Sequence, residues 1–181
     1  MKKLSLSALF IFLTLSMYGQ LVSTSPENKK TILEEFTGIY CGFCPDGHAI
    51  AQAIQDNNAG EVFLINIHEG GYANPTGSDP DFRTPFGTAI AGQSGLVGYP
   101  AGTVNRTNFP GLEQGAAGTT AMSRGSWGNA SNVTLNEPSY VNVGVEATID
   151  MGTNELIVHV EAYYTGDSPE SSNLFNIALL Q

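Results

Sequence analysis

Hydrophobic positions change their period several times along the chain, and each change marks an element. Thr31-Ile32-Leu33-Glu34-Glu35-Phe36 reads as a strand. After the turn Thr37-Gly38-Ile39-Tyr40, Pro45 suits a first helical turn, where its missing N–H costs nothing. Ala49, Ile50, Ala53 and Ile54 then form an apolar stripe at helical spacing, and Asn57-Asn58-Ala59-Gly60 is a stop signal. Residues 62–67 are almost all apolar, the pattern of a strand buried on both faces. Residues 69–80 carry loop chemistry. Phe82, Phe86 and Ile90, four apart, predict a helix over 81–93. A weak strand over 101–105, a Gly-rich link over 109–118 and a helix of low propensity over 119–131 complete this part.

The period becomes two after Pro138. Val141, Val143, Val145, Ala147 and Ile149 fall on one face of a strand over 140–149. Residues 155–164 alternate as well, and Asp150-Met151-Gly152-Thr153-Asn154 between them predicts a hairpin. A third strand is predicted over 174–180. Three strands with one apolar face cannot close a sandwich and leave an open edge. Residues 138–181 are therefore expected to be the start of a C-terminal β domain that continues in the natural protein.

The first 20 residues have a different logic. Met1-Lys2-Lys3 precedes the apolar run 4–15, with Ser16, Gly19 and Gln20 after it, which is the layout of a secretory signal peptide over 1–20. The apolar run is shorter than the roughly 20 residues that cross a bilayer, so no transmembrane span is expected. Residues 21–29 are polar and expected to be a loose linker. The 181-residue chain has a formal net charge of −10, and removing Lys2 and Lys3 makes it more negative. That charge excludes nucleic acid as a partner, since phosphates need basic contacts. Two cysteines in an exported chain of this size are no disulfide framework, so the fold must rest on an apolar core, with Trp127 as a candidate anchor.

Those two cysteines, Cys41-Gly42-Phe43-Cys44, sit where the first strand hands over to the first helix. Thiols at this spacing can close a disulfide, and the N–H groups of a helix N-terminus favour a thiolate. The chemistry that follows is thiol–disulfide exchange, with the Cys41 sulfur expected in solvent. Other readings stand beside it. A structural disulfide would close a ring too short to restrict the unfolded chain much. Cys41, Cys44 and His48 offer three metal ligands, with His68 as a possible fourth, but cysteine-built zinc sites usually bring a second close pair. Haem attachment needs a histidine directly after the second cysteine, and Pro45 excludes it. No metal and no organic cofactor is expected.

The order strand, Cys-x-x-Cys, helix, strand resembles the start of a thioredoxin-like domain. Ile32-Leu33-Glu34-Glu35-Phe36 before the cysteines resembles that family's apolar strand with an acid one residue before its Phe, and Gly95-Leu96-Val97-Gly98-Tyr99-Pro100 resembles the segment ending in its cis-proline. The expected architecture is α/β: a thioredoxin-like domain over 30–132 with an insertion at 69–93, followed by an incomplete antiparallel, sandwich-like β region. Phe36-Thr37-Gly38, Cys44-Pro45-Asp46-Gly47-His48, the insertion and the trailing β region further resemble the outer-membrane-protein-28-related family of secreted bacterial proteins. That resemblance implies export to the periplasm, outer membrane or cell surface of a Gram-negative bacterium.

The thioredoxin-like resemblance implies roles. Cys41 would attack, Cys44 would resolve, and Glu35, buried beneath them, would take the Cys44 proton. Strand alternation alone leaves open whether Glu34 or Glu35 points inward. Pro100, in the cis form, would set the backbone of Tyr99 beside the cysteines to pair with a substrate strand. Gly42 and Phe43 would face the substrate too, and because they bring no positive charge the expected poise is that of a reductase or isomerase. Partners would be protein or peptide disulfides and an unidentified electron-donor protein. The rival is an envelope or surface binding or adhesion protein on the same scaffold, without turnover.

Overall fold

The computed structural model describes residues 19–180, so the signal-peptide expectation for 1–20 falls almost wholly outside them. Strand β1 (Thr31–Thr37) lies at the centre of a four-stranded sheet. It pairs in parallel with β2 (Val62–His68), from Thr31 opposite Val62 to Thr37 opposite His68. On its other edge it pairs antiparallel with β3 (Ala101–Val104), which pairs antiparallel with β4 (Met122–Ser123), giving the order β2-β1-β3-β4. Helix α1 (Cys44–Asn57) makes the crossover between the parallel strands, α2 (Pro85–Ser94) lies between β2 and β3, and α3 (Trp127–Leu135) follows β4. This is the thioredoxin-like arrangement, and a separate antiparallel pair, β5 (Val141–Asp150) and β6 (Glu155–Tyr164), follows it.

Strand alternation divides the core in two. Leu33 and Val104 meet Ala51 of α1 and Trp127 and Ala130 of α3 on one face, while Phe36, Ile67 and Ala101 meet Ala91 of α2 on the other. The face of α1 that packs inward is Cys44, Gly47 and Ala51, with Ile50 and Ile54 alongside. Ala49 and Ala53 of the expected stripe are exposed, so that stripe lies at the edge of the buried face.

Three elements differ from expectation. Helix α2 starts later than residue 81, because the Thr84 side chain caps it by accepting from Gly87 N–H at 2.9 Å and Pro85 fills its first turn. Its inward face is Gly87, Ala91 and Ser94, whereas Phe82 and Phe86 are exposed. The expected helix over 119–131 is divided: residues 122–123 extend β3's pairing, and α3 begins only at Trp127. Residues 174–180 form no strand.

In the β5–β6 hairpin, directly opposed residues share a face. One face collects Val141, Val143, Val145, Ala147, Ile149, Leu156, Val158, Val160, Ala162 and Tyr164. The other carries Glu146, Asp150, Glu155, His159 and Glu161. Residues 21–29, expected to be loose, are tied to the hairpin. Glu161 accepts from the N–H groups of Leu21 and Val22 at 2.8 and 3.1 Å, and the Asn142 amide donates to the carbonyls of Ser23 and Ser25. Among the described residues no helix is long and apolar enough to cross a membrane.

Candidate functional site

Cys41 and Cys44 are joined as a disulfide with their Cα atoms 5.4 Å apart, at the point where α1 begins. The approach to α1 is a tight turn: Cys41 N–H donates to the Gly38 carbonyl at 3.0 Å and Cys44 N–H to the Cys41 carbonyl at 3.2 Å. Pro45 in the first helical turn has no N–H to satisfy. Cys44 is 1% exposed and Cys41 7%. Cys41 is thus the more accessible of the two, but the expectation that it rests in solvent is corrected: most of it is covered. The intervening residues are the exposed part of the motif, with Phe43 at 71%.

The insertion packs against the turn that leads to Cys41. Gly38 lies so close to the loop after β2 that a Cβ there would sit 2.3 Å from the carbonyl carbon of Tyr72. Tyr40 N–H donates to the Tyr72 carbonyl at 3.0 Å, and the Tyr40 hydroxyl donates to Asp79 and contacts Thr76. Arg83 binds Asp81 and Asn74, closing the same loop on itself. Gly38→Ala is therefore expected to push residues 70–84 off the 38–41 turn, since only backbone could give way. Limited proteolysis should cut within 70–84 at least about 10-fold faster in the variant, the ratio for about 1.4 kcal/mol of lost docking.

Both acids of β1 are buried, on opposite faces of the sheet. Glu34 takes the α2 side and is held by a bidentate Arg106, with N–O distances of 2.5–3.1 Å. Glu35 takes the side of Leu33 and α1. It is 2% exposed, and its Oε2 lies 3.0 Å from Nδ1 of His48, one turn beyond Cys44. The Nε2 of His48 lies 3.3 Å from Thr37 Oγ1. Residues 44 and 48 share a helix face, which brings His48, Glu35 and the first turn of α1 together. The sequence carried that signal in the spacing of Cys44 and His48, but not the partner of the histidine.

Burial raises the Glu35 carboxyl above its ordinary 4.5, and the hydrogen bond and charge of His48 offset this only partly. The linkage follows directly. A carboxyl whose folded pKa is raised contributes stability below its unfolded pKa, and that contribution is lost as pH rises through the folded value. Glu35→Gln is thus expected to gain stability over the disulfide-bonded parent as pH climbs from 4.5 to neutrality. Urea midpoints for both proteins across that range check this; a difference that shrinks with rising pH contradicts it.

The Tyr99–Pro100 peptide is cis. Pro100 packs on α1: a Cβ at Gly47 would lie 3.1 Å from its Cβ. The Tyr99 side chain is tethered, its hydroxyl donating to Glu69 Oε2 at 2.5 Å while its ring meets Tyr72 edge-on at 5.7 Å. Burial and, after it, the Glu69 carboxylate push the Tyr99 phenol upward. Gly70 makes this possible, with φ at 69° and no side chain to strike the Tyr99 hydroxyl. His68, at the end of β2, is held below its ordinary 6.5 by burial first and then by the charge of His48, and its buried Nδ1 has no partner. Among the described residues no group of three or more His, Cys, Asp and Glu converges on a metal-sized site.

No family model and no curated protein matches this chain. Among solved structures it is similar to HBP35 of Porphyromonas gingivalis, at 22% identity over 67% of this chain and 38% of that one, with a TM-score of 0.44. It is similar also to a protein of Agrobacterium tumefaciens solved by X-ray crystallography, at 16% identity over 70% of this chain and 55% of that one, with a TM-score of 0.44. The chain spans 38% and 55% of those two proteins.

Proposed function

We propose that the protein is an exported thiol–disulfide oxidoreductase acting on protein or peptide disulfides. The observation that carries this reading is a Cys-x-x-Cys disulfide at the start of α1, with a buried carboxyl on β1 held to His48 one helical turn beyond Cys44. In the reduced protein, the Cys41 thiolate attacks a substrate disulfide and Cys44 resolves the mixed disulfide. Glu35 accepts the proton of Cys44, and its raised pKa suits exchange near neutral pH. The exposed Gly42 and Phe43, and the backbone at Tyr99 and Pro100, would receive the substrate chain. Gly42 and Phe43 supply no positive charge to hold a thiolate, which favours a reductase or isomerase poise over a strong oxidant. Electrons come from a donor dithiol protein, with no organic cofactor or metal.

The motifs and the leader-like first 20 residues support membership of the outer-membrane-protein-28-related family and a place in the periplasm or outer membrane of a Gram-negative bacterium. A second reading, a binding or adhesion protein without turnover, is favoured by one observation: Cys41 is only 7% exposed. Reduction of a model protein disulfide by the intact chain, compared with Cys41→Ser, separates the two. Equal rates leave only the binding reading.

A further inference from the structure

The Glu35–His48 contact goes beyond a buried acid. Glu35 has almost no surface of its own, so a proton it takes from Cys44 needs a way out. The His48 side chain bridges that gap: Nδ1 lies 3.0 Å from Glu35 Oε2, and 39% of the side chain reaches solvent. Resting on the proposed exchange activity, we propose that His48 is a positioning and proton-carrying residue that connects buried Glu35 to water during resolution.

The groups facing His48 are few. Strand β1 contributes Glu35 and Thr37, β2 contributes His68 at its end, and its own helix contributes Cys44 one turn earlier. Asp46 in the same helical turn is already paired with Arg124. Glu35 is thus the one carboxylate that hydrogen-bonds the imidazole among the described residues, which fits a dedicated pair.

In the mixed disulfide, the Cys41 sulfur is bonded to a substrate sulfur, and Cys44 is a thiol. Cys44 gives its proton to the Glu35 carboxylate, and its freed electron pair forms the bond to the Cys41 sulfur. The bond from Cys41 to substrate breaks, and its electron pair leaves on the substrate thiolate. The protein has been oxidised by two electrons and the substrate reduced by two. The proton passes from Glu35 to Nδ1 of His48, and the imidazolium gives a proton to water. An external dithiol restores the reduced pair by the reverse path.

An aromatic disulfide that releases a coloured thiolate separates the steps in the reduced protein. The first release reports attack by Cys41, and the second, independent of reagent concentration, reports resolution by Cys44. For His48→Ala the second phase should slow about 10-fold or more at neutral pH, and its acidic limb should move to higher pH because Glu35 loses the His48 hydrogen bond that holds its carboxyl down. The first phase should hold. Added imidazole should restore the second phase. His48→Gln, which keeps a hydrogen bond but carries no proton, should be as slow as His48→Ala. An unchanged second phase, full rescue by Gln, or no response to imidazole overturns the relay while leaving exchange intact. Absence of the first phase from the parent protein overturns the exchange reading, and the relay with it.

Discussion

Cys41→Ser is expected to lose all catalysed reduction of a protein disulfide, leaving only the rate of the external dithiol alone. A serine hydroxyl is not ionised near neutral pH and forms no bond to sulfur that a second thiol can release, so no mixed disulfide starts. The companion Cys44→Ser should still attack and then stall, because nothing remains to resolve the mixed disulfide. A stable adduct with a substrate protein, visible on a non-reducing gel and absent in the double variant, is the expected signature. Folding is not at issue in these variants, because a ring of this size restricts the unfolded chain little. If Cys41→Ser reduces disulfides as fast as the parent, the enzymatic reading is gone. Because Cys41 is only 7% exposed, attack on a folded substrate requires its surroundings to move, or the substrate to approach from the exposed Phe43 side.

Trp127→Ala is expected to cost about 3–5 kcal/mol, a large part of the roughly 5–15 kcal/mol available to a domain. Trp127 is fully buried, and its Nε1 donates to the Met122 carbonyl at 3.2 Å. Its ring also comes within 3.1 Å of where a Cβ at Gly102 would lie and 3.3 Å of one at Gly47. It therefore fills the space between β3 and the first turn of α1, the turn that carries the disulfide. Removal leaves a cavity there and takes away the indole hydrogen bond to the Met122 carbonyl. Urea unfolding should show the lost midpoint with little change in slope. Trp127→Phe, which keeps most of the volume and loses only the hydrogen bond, should recover more than half. A loss below about 1 kcal/mol in Trp127→Ala would mean that this side chain is no anchor.

Much of the architecture was legible because period and punctuation are local. The apolar run at 62–67 became β2, and the alternation on either side of 150–154 became the β5–β6 hairpin with its wholly apolar face. Helix α2 was expected four residues too early and with the wrong inward face because Phe82 and Phe86 are apolar at helical spacing, yet the Thr84–Pro85 cap fixes the start and the small residues Gly87 and Ala91 make the close approach. Residues 174–180 have strand-like composition, but composition does not supply a partner edge.

The site divides along the same line. Cys-x-x-Cys at a strand–helix junction is a chemical statement made locally, since the turn into a helix brings residues three apart within disulfide reach. The thioredoxin-like resemblance implied a buried acid near the cysteines, but strand alternation left open whether it was Glu34 or Glu35. Only tertiary structure decided that Glu35 faces α1 while Glu34 pairs with Arg106, that His48 closes on Glu35, and that a loop 30 or more residues downstream docks on the turn before Cys41. Those outcomes depend on which strands are neighbours and which side chains fill the space between them, and such contacts join residues too distant in the chain for any local pattern to record.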